Sequence, residues 1–315
     1  MKNFLSPRTI DPHYTRGWRT TLRCPTIGRS AKTTNGEPAR MPVRTPEPLR
    51  TVGLLLSLFP RRPYESLDRA AGYADLGLER LCGTPPTYET ATWEEALRDV
   101  DGPPGRVWEI LQEPALAEIE ERTRRLLEEI RAEDTFSRRW AADSLFARLN
   151  YLACRLLEPE AVVETGVAYG VSSAFILRAL DENGRGTLHS VDLPPLRRGY
   201  ERLWGVAVPD GLRDGWQLHR GSSGRILPGL LRRSGPVDLF THDSLHTRRN
   251  MRREFEAVWP NLRRGGILLA DDVERNLAFA DLRQKAPALW RVVRDRERTP
   301  LHGKAAPVVF GVAVK

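Results

Sequence analysis

Apolar and polar positions change rhythm along the chain. Between residues 114 and 131, Leu116, Ile119, Leu126, Leu127 and Ile130 recur at helical spacing with Glu and Arg between them, the pattern of an amphipathic helix. Residues 136–157 continue in kind, with Trp140, Leu145, Leu149, Leu152 and Leu156. Residues 51–157 are therefore expected to form a helical cap or lead-in, broken by a turn around Pro103 and Pro104. From residue 160 the texture shifts to short apolar runs alternating with amphipathic stretches. Strands are expected at 161–164, 187–193, 216–219, 237–241 and 266–270, with helices over 172–180 and 247–262 between them. Two further strands, 290–294 and 308–314, are joined by a segment with no helical pattern, which favours an antiparallel hairpin because a parallel crossover normally needs a helix. The fold class that follows is α/β: a doubly wound, mostly parallel, seven-stranded Rossmann-like sheet with a terminal antiparallel hairpin, preceded by a helical N-terminal region. The sheet domain is expected to span 158–315.

Composition adds limits. An apolar share of 40% supplies a core, and no apolar run approaches the ~20 residues needed to cross a bilayer. The formal charge is +8, but residues 1–50 hold ten Lys or Arg against three acids, leaving the rest of the chain close to neutral. A nucleic-acid footprint is a basic patch on a folded surface, so neither nucleic acid nor membrane is an expected partner. Residues 1–50 read as a disordered, basic, Pro-rich tail. A targeting peptide, or an upstream extension of a protein starting at Met41, would look the same. Cys24, Cys82 and Cys154 show no paired spacing, which argues against a disulfide framework and for a reducing, cytoplasmic setting.

Ligands of an open parallel sheet gather beyond the carboxyl ends of its strands, so the residues there are the candidates for chemistry. The first strand runs into Glu164-Thr-Gly166-Val-Ala-Tyr-Gly170-Val-Ser172-Ser173. The two glycines permit a tight turn and close backbone approach, but the spacing is not that of a dinucleotide fingerprint. The second strand ends in Asp192, whose carboxylate can accept ribose hydroxyls. Gly221-Ser222-Ser223 follows the third, Asp243-Ser-Leu-His246 the fourth, and Asp271-Asp272 the fifth. Each residue has a plainer reading: Asp272 as a helix cap, His246 as an orienting residue, Trp204 as core or part of a lid. His242 and His246 lack the glutamate of a zinc-binding helix.

With these residues in view, 158–315 resembles the class I S-adenosylmethionine-dependent methyltransferases. ETGVAYGVSS is similar to their glycine-rich first motif, SVDLP to their acidic second motif, and the terminal hairpin to that fold's last strands. GSSGRILPGL narrows the resemblance to small-molecule O-methyltransferases, of the catechol O-methyltransferase-like or cephalosporin hydroxylase-like natural-product and sugar branch. The resemblance implies S-adenosylmethionine held by Glu164, Gly166, Gly170, Ser172, Asp192 and Ser223. It also implies Mg²⁺ on Asp243, Asp271 and Asp272, with His246 and Asp243 as the catalytic residues. Two positions depart from the pattern: His246 stands where catechol enzymes carry lysine, and Asp272 where asparagine is commoner. The chemistry suits the residue types. Mg²⁺ takes oxygen ligands and keeps open positions, it lowers the pKa of a hydroxyl that binds it, and a histidine can remove the proton. The expected partner is a small-molecule acceptor such as a natural product, sugar or catechol, and a homo-oligomer is compatible. Two rival readings remain open at this point: a nicotinamide-dependent oxidoreductase with Asp192 on the ribose, and a catalytically inactive binding protein of the same fold.

Overall fold

The computed structural model describes residues 47–100, 105–130, 141–196, 199–296 and 307–315. The turn at Pro103 and Pro104 and most of the expected tail lie outside them, although residues 47–50 already belong to a helix.

Seven strands form one sheet: β1 (Ala161–Thr165), β2 (Thr187–Asp192), β3 (Trp216–Arg220), β4 (Val237–His242), β5 (Leu262–Asp271), β6 (Leu289–Arg296) and β7 (Pro307–Val314). Their order is β3-β2-β1-β4-β5-β7-β6. The first five are parallel, and β7 enters antiparallel between β5 and β6. The expected fold class and terminal hairpin are what the structure has. Successive residues of a strand face opposite sides, and the core follows that alternation. Val162 and Leu239 pack under α6 (Ser144–Leu157) and α7 (Val171–Asn183), whereas Val163 and Phe240 pack against α8 (Ser223–Ser234), α9 (Arg248–Val258) and α10 (Ala278–Leu282). Chain order reverses between β1 and β4, which opens a crevice at their carboxyl ends.

Three boundaries differ from expectation by four residues or more. The helix expected from residue 136 starts, among the described residues, at Ser144, with Asp143 at its N-cap position; residues 136–140, including Trp140, lie outside them. The helix expected to reach 262 stops at Val258, because Pro260 has no N–H to continue the ladder. Strand β5 begins four residues early, at Leu262, entering through a register shift opposite Val237–Leu239.

The N-terminal helices include α1 (Glu47–Leu58), α2 (Pro63–Cys82), α3 (Trp93–Val100), α4 (Arg106–Leu111) and α5 (Pro114–Glu129). Helix α5 packs on α7, and the segment before α3 runs along β6 through an Ala91–Val293 bridge. Helix α2 is set differently. Arg69 Nη2 reaches the Pro194 carbonyl beyond β2, Glu65 pairs with Arg220 at the end of β3, and Asp75 pairs with Arg249 after β4. It crosses the carboxyl edge of the sheet from β3 to β4, over the crevice.

Candidate active site

The glycine-rich turn after β1 is shaped by close approach. Gly166 has φ +88°, and a Cβ there would lie 2.0 Å from the Asp243 carbonyl. Gly170, φ +82°, would meet Gly205 Cα at 2.9 Å. Both positions need glycine for space as well as for conformation.

Asp192 closes this turn from β2. Its Oδ2 accepts from Val167 N and Ala168 N, both at 3.1 Å, and from Trp204 Nε1 at 2.9 Å. Its Oδ1 accepts from Leu193 N at 2.7 Å. Burial raises its pKa, and these donors offset part of the rise. Trp204 is thus neither plain core nor a free lid, since its indole N–H holds the carboxylate.

Glu164 is fully buried. Oε2 accepts from Ser173 Oγ and Ser190 Oγ, each at 2.6 Å, while Oε1 has no hydrogen-bond partner. Burial lifts its pKa to about 7 against the pull of the two hydroxyls, with the Asp192 charge adding to the rise. Ser172 Oγ is likewise buried and unpartnered. Ser223, by contrast, directs its hydroxyl at Asn250 Oδ1, 3.3 Å away.

At the ends of β4 and β5, Asp243, His246 and Asp271 each bring one ligand atom into a cluster in which all lie within 4.8 Å of one another. Burial, and then neighbouring carboxylates, push Asp243 and Asp271 well above the usual carboxylate range. Glu164, Asp192 and Asp143 are among the charges felt by Asp243, so the acids at the ends of β1, β2, β4 and β5 lie within reach of one another's charge. Asp272 is turned aside. Its Oδ2 lies 3.1 Å from His246 Nδ1 and 2.6 Å from Arg275 Nη2, and its φ of +52° is one that aspartate tolerates better than most residues. His246 Nε2 stands 3.6 Å from Asp243 Oδ1 and has no hydrogen-bond partner. Burial lowers the His246 pKa, with Asp272 opposing, so the ring is held neutral and can accept at Nε2.

Residues 163–273, the stretch carrying most of these groups, match the family described as "Methyltransferase domain". Residues 163–273 are a methyltransferase domain. A comparison with curated proteins finds no match. Among solved structures the chain is similar to the O-methyltransferase TomG of Streptomyces achromogenes, at 16% identity and a TM-score of 0.43, over 65% of this chain and 91% of that one. It is also similar to an O-methyltransferase of Bacillus cereus, at 14% identity and a TM-score of 0.43, over 70% and 96% of the two chains.

Behind the crevice of the methyltransferase domain lies a buried polar hub that sequence reasoning missed. Glu254 of α9 accepts from Thr165 Oγ1 at 2.6 Å, Ser244 Oγ at 2.8 Å and Asn250 Nδ2 at 2.8 Å, and sits 2.6 Å from His242 Nδ1. Its pKa falls to about 2: burial opposes the fall, and His242 with the hydroxyl donors outweighs it. The hub ties the ends of β1 and β4 to α9. In sequence Glu254 is one more acid on a charged helix. Asp143, whose charge reaches Asp243 and Asp271, carries no sequence signal at all.

Proposed function

We propose that this methyltransferase domain transfers a methyl group from S-adenosylmethionine to a hydroxyl of a small molecule, assisted by a divalent cation. The observation that carries the reading is the coexistence, in one acidic crevice, of buried polar atoms without partners: Glu164 Oε1 and Ser172 Oγ beside the glycine turn, and His246 Nε2 beside Asp243 and Asp271. Unpaired buried polar groups cost stability, and a ligand that satisfies them removes the cost.

S-adenosylmethionine supplies its methyl group from a sulfonium, for in-line displacement by an oxygen. Gly166 and Gly170 would let the backbone approach it, Asp192 Oδ1 retains acceptor capacity for a ribose hydroxyl, and Glu164 Oε1 and Ser172 Oγ would be available to its polar groups. Ser223 contributes from the start of α8. A divalent cation supplies charge that favours ionisation of an acceptor hydroxyl. The donor set fits such an ion, because Asp243 and Asp271 repel each other and are relieved by positive charge between them. His246 Nε2 takes the hydroxyl proton, and Asp272 on Nδ1 fixes the tautomer and the ring orientation. In this scheme Asp272 is a positioning residue, in place of the metal ligand that sequence resemblance implies.

The test is paired. Calorimetric titration of wild type with S-adenosylhomocysteine is expected to show saturable binding, weakened at least tenfold in Asp192→Ala. Titration with Mn²⁺ is expected to show binding that Asp271→Asn abolishes and His246→Ala preserves. Binding of NAD in place of S-adenosylhomocysteine would move the chain to the oxidoreductase reading. Loss of Mn²⁺ binding in His246→Ala would make His246 a ligand in place of a base.

A further inference from the structure

Glu254 of α9 is fully buried, and its partners lie on either side of Asp243. Its Oε2 stands 2.6 Å from His242 Nδ1, and its Oε1 accepts from Ser244 Oγ at 2.8 Å. His242 and Ser244 are the residues before and after Asp243, so one carboxylate grips both neighbours, one with each oxygen. The backbone between them is held as well. Asp243 N donates to the Thr165 carbonyl at 2.8 Å, and the Thr165 hydroxyl donates to Glu254 Oε2 at 2.6 Å. Asn250, one turn before Glu254, donates to its Oε1 at 2.8 Å and to the Leu245 carbonyl at 3.1 Å. Thr247 Oγ1 accepts from Asn250 N at 3.3 Å. The stretch from the last residue of β4 to the start of α9 is thus pinned at 242, 244, 245 and 247. The two residues that neither Glu254 nor Asn250 bonds are Asp243 and His246, and these are the two that meet Asp271 in the ligand cluster.

We infer that Glu254 is a positioning residue of the methyltransferase site: through His242 and Ser244 it aims Asp243, and with Asn250 it sets the loop that presents Asp243 and His246. The role rests on the proposed cation site at Asp243 and Asp271. Those two carboxylates repel each other, so a loop free to move would carry Asp243 away from Asp271. Glu254 opposes that movement from a fixed point, because Met251, Phe255 and Val258 anchor α9 in the core. With a pKa of about 2 it stays ionised and only accepts, so each bond runs from a donor of the site to the same post. Groups that orient the ligands of a cation without touching it typically change its affinity by roughly 10–100-fold when they are removed.

Calorimetric titration of the full chain with Mn²⁺ and, separately, with S-adenosylhomocysteine tests this. Glu254→Ala is expected to weaken Mn²⁺ binding by about tenfold or more and to leave S-adenosylhomocysteine binding unchanged. Glu254→Gln is expected to stay within about threefold of wild type. Its amide oxygen keeps the Ser244 and Asn250 bonds, and its N–H group can donate to Thr165 Oγ1 and His242 Nδ1. Ser244→Ala removes one arm and leaves the buried carboxylate in place. It is expected to cost about threefold in Mn²⁺ affinity and nothing more when added to Glu254→Ala, and it decides the question if Glu254→Ala does not fold. Mn²⁺ binding as tight in both alanine variants as in wild type would overturn the proposal. So would a parallel loss of both ligands, the mark of a merely structural role, or a Glu254→Gln as weak as Glu254→Ala. A wild type that binds S-adenosylhomocysteine but no Mn²⁺ would remove the cation from the proposed function. Crystal structures of wild type and the alanine variants would then decide: Asp243 turned from Asp271 in the variants upholds the positioning role, and Asp243 unmoved overturns it.

Discussion

Glu164 is a carboxyl group placed where it is costly to ionise. In the unfolded chain it titrates near the usual glutamate value of about 4.3, while burial holds it to about 7 in the fold. The folded state therefore binds the proton more tightly. The stability this gives is complete below about 4 and is lost as pH rises through about 7, a difference on the order of 3 kcal/mol. Glu164→Gln is expected to raise the melting temperature at pH 8 and leave it little changed at pH 4, read by thermal unfolding at both. Gly166 makes the opposite kind of demand. Gly166→Ala puts a methyl 2.0 Å from the Asp243 carbonyl at a φ of +88°, and is expected to cost at least ~2 kcal/mol in urea unfolding. Both residues were legible beforehand, because an acid and a glycine at a strand end can be read without knowing what faces them. Asp272 was only half legible. Its place after β5 marks it as near Asp243 and Asp271, but a left-handed backbone turns it toward His246, and single-sequence patterns carry no such angle.

At the level of elements, the strands were legible because each is a short apolar run whose alternate residues divide between two helical layers, as Val162 and Val163 do. Helix α2 was not. Nothing in its sequence says that it crosses the crevice, because its fastenings are single charged residues paired across 155 positions, as in Glu65–Arg220. Only Ser66 of its twenty residues is buried. A helix held by polar ties with little apolar burial opens locally at low cost. Asp68→Asn/Asp75→Asn is expected to lower global stability by less than ~1 kcal/mol while speeding amide exchange in residues 63–82 severalfold, with no matching change in α7. Equal acceleration in both helices would mean that α2 is part of the global unit.

For the molecule as a whole, the sheet places β7 between two strands that precede it in the chain. Strand β5 pairs with β7 over Ile267–Asp271, and β6 pairs with β7 alone among the named strands. A ribosome delivers β6 first, yet β6 has no strand neighbour until β7 is made, and the β5 edge beside Asp271 stays open for as long. During synthesis the nascent protein therefore carries two unsatisfied edges of backbone, each able to template the wrong neighbour. Quality-control factors that bind extended apolar segments would meet this chain at that stage.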